Sequence, residues 1–160
     1  MPSPEQLGHI IRDWFRKSQA NEVVLASPYD RFIALWISFN AWGTNRYGTD
    51  QDRAMIDHAV TDGELQSHFQ ELCRDKVFRQ LTAELQAYCP VWDMRPGHTR
   101  KSKTVANPHD LGEVLRVIYQ VRCNLFHGSK AVDDDRDSQL VYLSYSILSR
   151  LMGLILEGNP

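Results

Sequence analysis

The chain has 160 residues, with 18 lysines and arginines against 20 aspartates and glutamates and a formal net charge of −2. A chain near this length buries roughly 70% of the surface it exposes when unfolded, so it is read as one domain, residues 1–160, with its own core. The balanced charge excludes bulk attraction to nucleic acid or anionic lipid, so any RNA contact has to be local.

Apolar residues recur mostly at helical spacing, without an internal repeat or a low-complexity tract, and the chain reads as all-α. A first helix is predicted from about Pro4 to Gln19, with Leu7, Ile10, Ile11, Trp14 and Phe15 on one face. The stretch "SPYDRFIALWISFNAWG" follows, with Ser27 as N-cap, Pro28 at the first helical position and Gly43 as the stop signal. This is the expected central helix, because Phe32, Ile33, Leu35, Trp36, Ile37 and Phe39 leave little of its circumference polar. After a loop at "GTNRYGTD", the segments "QDRAMIDHAV" and "ELQSHFQELCRDKVFRQLTAELQAY" both read as amphipathic helices. An irregular connection is predicted over "CPVWDMRPGHTRKSKTVANP", where three prolines and a glycine interrupt any period. Asn107 and Pro108 restart a helix, with Asp110 near its positive end, that runs to about Phe126 or His127 and is capped by Gly128. Beyond the acidic approach "DDDRD", the stretch "SQLVYLSYSILSRLMGLILEG" forms the last helix, giving a bundle of about five helices.

Cys73, Cys89 and Cys123 are odd in number and form no C-x-x-C pair, which argues against a disulfide framework and against a zinc site. The N-terminus has charges spread among its apolar residues, and the longest apolar run, "FIALWISF", is too short to span a bilayer. A cytoplasmic protein with no membrane partner is expected. His58, Glu64 and His68 do not have the spacing of a specific metal site, and no phosphate-cradling glycine loop or serine nucleophile elbow is present. No metal and no cofactor are expected.

The stretch "RCNLFHG", residues 122 to 128, ends an apolar helix with an arginine, an asparagine and a histidine. On a helical wheel Leu111, Val114, Leu115, Val117, Ile118, Val121 and Leu125 share one broad face, and Arg122 lands inside its edge. A guanidinium there needs a carboxylate, carbonyl groups or a solvated crevice. His127 follows five residues later, about 140° around an ideal helix, so the two do not share a face unless the helix unwinds or two copies of the motif meet across a symmetric interface. A histidine before a glycine also suits a helix cap, where its cation meets the negative end.

"YQVRCNLFHGSK" resembles the signature of the HEPN (higher eukaryotes and prokaryotes nucleotide-binding) superfamily, an Arg, four to six residues and a His, often with an Asn between them. Arg122, Asn124 and His127 match, with four residues between Arg and His, although Cys123 stands where many members have the Asn. A second block, "YDRFIALWISFNAWG" followed by "DQDR", is similar to the helix and acidic-basic pair of bacterial members, including the Apea-like ones. The two blocks cover residues 28 to 53 and 107 to 130. The resemblance implies an HEPN-like helical bundle that forms a homodimer, bringing two Arg/His motifs into one cleft where RNA is cut without metal. It implies a toxin or defence nuclease checked by an inhibitor or antitoxin protein.

In that setting His127 would move a proton at the ribose 2′-OH or the leaving 5′ oxygen, and Arg122 would stabilise charge on the phosphate. Asn124 would orient the phosphate or His127, or would only cap or be solvated. Asn40, a polar residue in the most apolar helix, is expected to make a specific hydrogen bond, either structural or toward Arg122. Asp52 and Arg53 read as a surface or interhelix ion pair, while the resemblance offers Asp52 as a brace for Arg122. The tract "RPGHTRKSK" sets Arg95, Arg100, Lys101 and Lys103 around His98, so Arg100, Lys101 and Lys103 are the candidate RNA-binding residues, against a solvated loop. Trp14, Trp36, Trp42 and Trp92 make no obvious stacking platform, and the first two are expected in the core. A metal-independent endoribonuclease leaving 2′,3′-cyclic phosphate ends is the first reading; a non-catalytic helical interaction or nucleotide-binding module on the same fold is the alternative.

Overall fold

A computed structural model describes residues 2–20, 27–95, 97, 101–126 and 134–158. Among them are seven helices, α1 (Pro4–Gln19), α2 (Pro28–Tyr47), α3 (Asp52–Ala59), α4 (Gly63–Leu72), α5 (Lys76–Ala87), α6 (Leu111–Phe126) and α7 (Asp135–Glu157). A two-residue antiparallel ladder, β1 (Val91–Trp92) with β2 (Ser102–Lys103), lies between α5 and α6. The architecture is therefore all-α apart from that ladder, with more helices than the five expected.

The start signals at Ser27 and Pro28 act as read, and α1 carries a cap of its own. Ser3 and Gln6 close a capping box on α1, and Ser27 Oγ accepts the Tyr29 amide at 3.2 Å ahead of Pro28. Three departures have identifiable causes. Gly43 does not stop α2, which runs on to Tyr47 and ends at Gly48, where φ is 66°. Gly43 is instead a close-approach position, because a Cβ there would overlap the Met55 side chain of α3. The long segment read as one helix over 64–88 divides, because the Asp75 carboxylate accepts the Phe78 amide at 2.9 Å and starts α5 afresh. Arg79 donates to the carbonyls of Cys73 and Arg74 at that break, at 3.0 and 2.8 Å, and satisfies them. Finally, the connection predicted to be wholly irregular pairs Val91 with Lys103 and Trp92 with Ser102, and the Asp93 amide donates to the Lys101 carbonyl at 2.8 Å.

The buried apolar side chains form one contiguous cluster. α2 is central to it, packing on α1, α3 and α7, while α7 packs on α2, α4, α5 and α6. α7 is long and apolar enough by length and composition to cross a membrane, but half of that window is buried against the other helices, as in a core helix. It begins as the acidic approach suggests, with the Asp134 carboxylate accepting the Asp137 amide at 3.1 Å. Trp36 is 2% exposed and Trp42 8%, whereas Trp14 is half-buried under the Lys17 ammonium and Trp92 is exposed. The middle of α2, the first turn of α3 and the last turns of α6 converge on one corner of the bundle.

Candidate functional site

That corner is built around Arg122. Its Nη2 lies 2.7 Å from Asp52 Oδ2, and the other Asp52 oxygen accepts from Asn40 Nδ2 at 2.5 Å. Asn40 sits one turn beyond Trp36 on α2, and Asp52 is the first residue of α3. The guanidinium also meets two rings, its carbon lying 5.5 Å from the Trp36 centroid and 4.5 Å from that of Phe126. The ion pair and the two aromatic contacts fix where the arginine points. Even so, its hydrogen-bonding capacity is not used up: Nε is buried without a partner among the described residues. About a quarter of the side chain is open to solvent. The geometry is that of an arginine held in place with donors to spare.

Of the readings open for Asp52, the interhelix pair with Arg122 is the one formed. Asp52 faces Arg122, and Arg53 points the other way. Asn40 takes the contact toward the Arg122 site rather than a purely structural bond elsewhere. Asn124 lies on the opposite side of α6 from Arg122. It is wholly buried, donates to the Trp92 carbonyl at 2.8 Å and accepts from the Met94 amide at 3.1 Å and from Gln120 Nε2 at 3.0 Å. Its buried amide ties the β1 segment to α6, a role that neither the capping nor the phosphate-orienting expectation covered. His127, Gly128, His98 and Arg100 lie outside the described residues.

Lys101 and Lys103 line a cleft of about 220 Å³ between α3, α6 and the ladder, together with Arg53, Arg95, Arg116 and Tyr119. The cleft and the Arg122 corner are back to back. Asp52 faces one and Arg53 the other; Arg122 faces one and Cys123 lines the other. Tyr119 joins them, since its ring stacks on Trp36 with centroids 6.0 Å apart. Burial, reinforced by Cys123 and Asp52 and opposed by Arg122, pushes its hydroxyl up to about 12. It is a proton-bearing donor at neutral pH.

A second arginine–carboxylate cluster lies away from this corner. Arg46 grips Asp62 with Nε at 2.6 Å and Nη2 at 3.2 Å and also reaches Glu64 at 2.9 Å. Asp62 further accepts the Tyr47 hydroxyl at 2.7 Å and caps α4 through the amides of Glu64 and Leu65. Burial would raise its carboxyl, but the bonds from Arg46, Tyr47 and Leu65 outweigh this and hold it at about 2. Of the residues weighed for metal binding, Glu64 is engaged here, with His68 at 3.7 Å, and His58 stacks on Tyr47. Among the described residues no three His, Cys, Asp or Glu side chains converge on one point.

Sequence reasoning missed Trp36, Tyr119 and Phe126 as the walls of the Arg122 corner. It also missed Arg53 and Arg116 as partners of the lysines. The i, i+4 and i, i+7 spacing of Tyr119, Cys123 and Phe126 carried part of that signal, and the α3 contribution required the tertiary fold. Comparison with family models, with curated proteins and with solved structures returns no match.

Proposed function

We propose that the chain is a metal-independent endoribonuclease of the HEPN type, acting as a homodimer whose two Arg/His motifs form one composite site. The observation that carries this reading is the joining of Asn40 and Asp52, from the first block that resembles the family, to Arg122, from the second. Two stretches some 70 residues apart meet at a guanidinium with donors left over, which is what stabilising a phosphorane requires. In the reaction the ribose 2′-oxygen attacks the adjacent phosphorus and the bond from phosphorus to the 5′ oxygen breaks. His127 takes the 2′-OH proton or supplies one to the leaving 5′ oxygen, and the products are a 2′,3′-cyclic phosphate and a 5′-hydroxyl. Arg122 faces the non-bridging oxygens, Asp52 and Asn40 position it, and Arg100, Lys101 and Lys103 contact the RNA backbone. The biological setting that suits such a nuclease is a toxin or defence role in the cytoplasm, checked by an inhibitor protein.

The alternative, a non-catalytic interaction or nucleotide-binding module, draws on Asn124, one motif residue whose buried bonds are structural. Dimerisation and cleavage read together separate the two. Light scattering is expected to give twice the chain mass, alone or with RNA, and the dimer is expected to cut RNA in EDTA. A strict monomer, with or without RNA, or a dimer that leaves RNA intact, contradicts the nuclease.

A further inference from the structure

Behind the Arg122 corner the cleft bordered by α3, α6 and the ladder concentrates positive charge in a chain that is slightly acidic overall. Five cationic side chains, Arg53, Arg95, Lys101, Lys103 and Arg116, line it against one carboxylate, Asp93. That carboxylate is 3% exposed and is gripped by Arg95 through Nε at 3.0 Å and Nη2 at 2.5 Å, so it holds Arg95 in place and is itself neutralised. Arg116 is steadied by Asp57 at 2.8 Å. Arg53, Lys101 and Lys103 form no ion pair among the described residues. Ser102 and the Tyr119 hydroxyl also line the cleft. Cationic and hydroxyl donors thus predominate in a wall completed by Ile56, Gln120 and Cys123, and they are the complement of a dianionic or diester phosphate. One face of the Tyr119 ring is covered by Trp36.

We propose that this cleft is a phosphate-binding subsite, distinct from the Arg122 corner, that grips a backbone phosphodiester of single-stranded RNA. That the phosphate belongs to an RNA strand rests on the ribonuclease reading; the phosphate chemistry of the cleft does not. Its position gives it this role. Asp52 and Arg53 are consecutive on α3, as Arg122 and Cys123 are on α6, and in each pair one member serves the Arg122 corner and the other lines the cleft. A strand gripped in the cleft is held on the same two helices that present Asp52 and Arg122. With backbone contacts dominating, the subsite gives affinity and register with little sequence preference.

The test uses the full chain and a fluorescent 2′-O-methyl oligouridylate, which lacks the hydroxyl needed for cleavage and so reports binding alone. Replacing Arg53, Lys101 and Lys103 together with Gln is expected to weaken binding at least tenfold at about 0.1 M salt. Removing three phosphate contacts should reduce the slope of log affinity against log salt by about 2. All three side chains are exposed, so a thermal melt superimposable on that of the parent is expected alongside. Cys123 supplies a second readout, because its thiol lines the cleft. The oligonucleotide should slow its alkylation by iodoacetamide several-fold in the parent and not in the triple variant. Unchanged affinity and salt slope, or alkylation of Cys123 indifferent to RNA, overturns the subsite. Protection by 5′-AMP or inorganic phosphate as strong as by the oligonucleotide overturns the strand in favour of a free phosphate ligand. An RNA-cleaving parent whose triple variant binds and cuts normally removes the subsite and leaves the nuclease. A parent that binds through the cleft and cuts nothing removes the nuclease and leaves the subsite.

Discussion

Two arginines of this chain are each held by an aspartate and two aromatic rings, and they end in opposite conditions. At Arg46 the accounts of both partners are closed: Asp62 takes two guanidinium nitrogens, a tyrosine hydroxyl and two helix amides, and Glu64 takes what Arg46 has left. At Arg122 a single nitrogen meets Asp52, Nε is left without a partner among the described residues, and uncommitted cations line the cleft behind it. The same residue types therefore make a structural clamp in one place and an incomplete site in the other. What separates them is the count of unsatisfied donors. A buried polar group left unpaired costs about 1–3 kcal/mol, so the unpaired Nε of Arg122 calls for an explanation that the closed Arg46 clamp does not.

The comparison breaks most sharply under alanine. Arg122→Ala is expected to lower RNA cleavage by roughly 10²-fold to 10³-fold through loss of charge stabilisation on the phosphate. Its melting temperature should move little, since Asp52 is partly solvated and keeps the Asn40 hydrogen bond. Paired rate and melting measurements check this. Asp62→Ala should invert the pattern. It removes the α4 cap, leaves Arg46 with Glu64 alone and takes away the acceptor of the Tyr47 hydroxyl, so denaturant titration should find a loss of about 2–4 kcal/mol, with cleavage per folded molecule unchanged.

Acid sharpens the contrast. The folded Asp62 carboxyl sits at about 2, below its ordinary value of 3.8, so its stabilisation is complete above about pH 4 and is lost as pH falls through about 2. About 2 kcal/mol of acid-dependent stability is expected from this one group, and chemical denaturation of Asp62→Asn across that window should lack it. The smallest effect belongs to the positioning residue. Asp52→Asn keeps a bond to Asn40 within reach but loosens Arg122, and about a tenfold fall in kcat is expected with KM and the melt nearly unchanged. A variant that loses stability and not rate would make Asp52 the counterpart of Asp62.

Most of the helices were legible in the sequence because their signals are local. Ser27 marks a start by accepting a helix amide and Pro28 by its fixed φ and missing N–H, and the apolar period names the buried faces. Gly43 misled for the opposite reason, since its small size answers the Met55 side chain of another helix, a fact no local window contains. The break at Asp75 was hidden because residues on both sides keep the helical period, while a single carboxylate decides where α5 begins. In the candidate site, Arg122 announced its need for a partner by lying on the edge of an apolar face, and Asn40 by lying inside one. Which carboxylate answered was a tertiary matter. Asp52 turned from its neighbour Arg53 toward α6, and Asn124, polar in the same motif, turned away to hold the β1 segment. The ladder and the cleft it helps to wall depend on pairing between residues about ten positions apart through an aperiodic stretch, where period-based reading has nothing to work on.

The central claim is that the open arginine site cuts RNA with His127 and without metal. The most direct measurement is cleavage of RNA in EDTA by the parent and by His127→Ala, with the new ends identified. The account predicts 2′,3′-cyclic phosphate and 5′-hydroxyl ends from the parent and a fall of roughly 10²-fold or more in the variant, which remains folded and dimeric. Cleavage abolished by EDTA, or undiminished by His127→Ala, would contradict it.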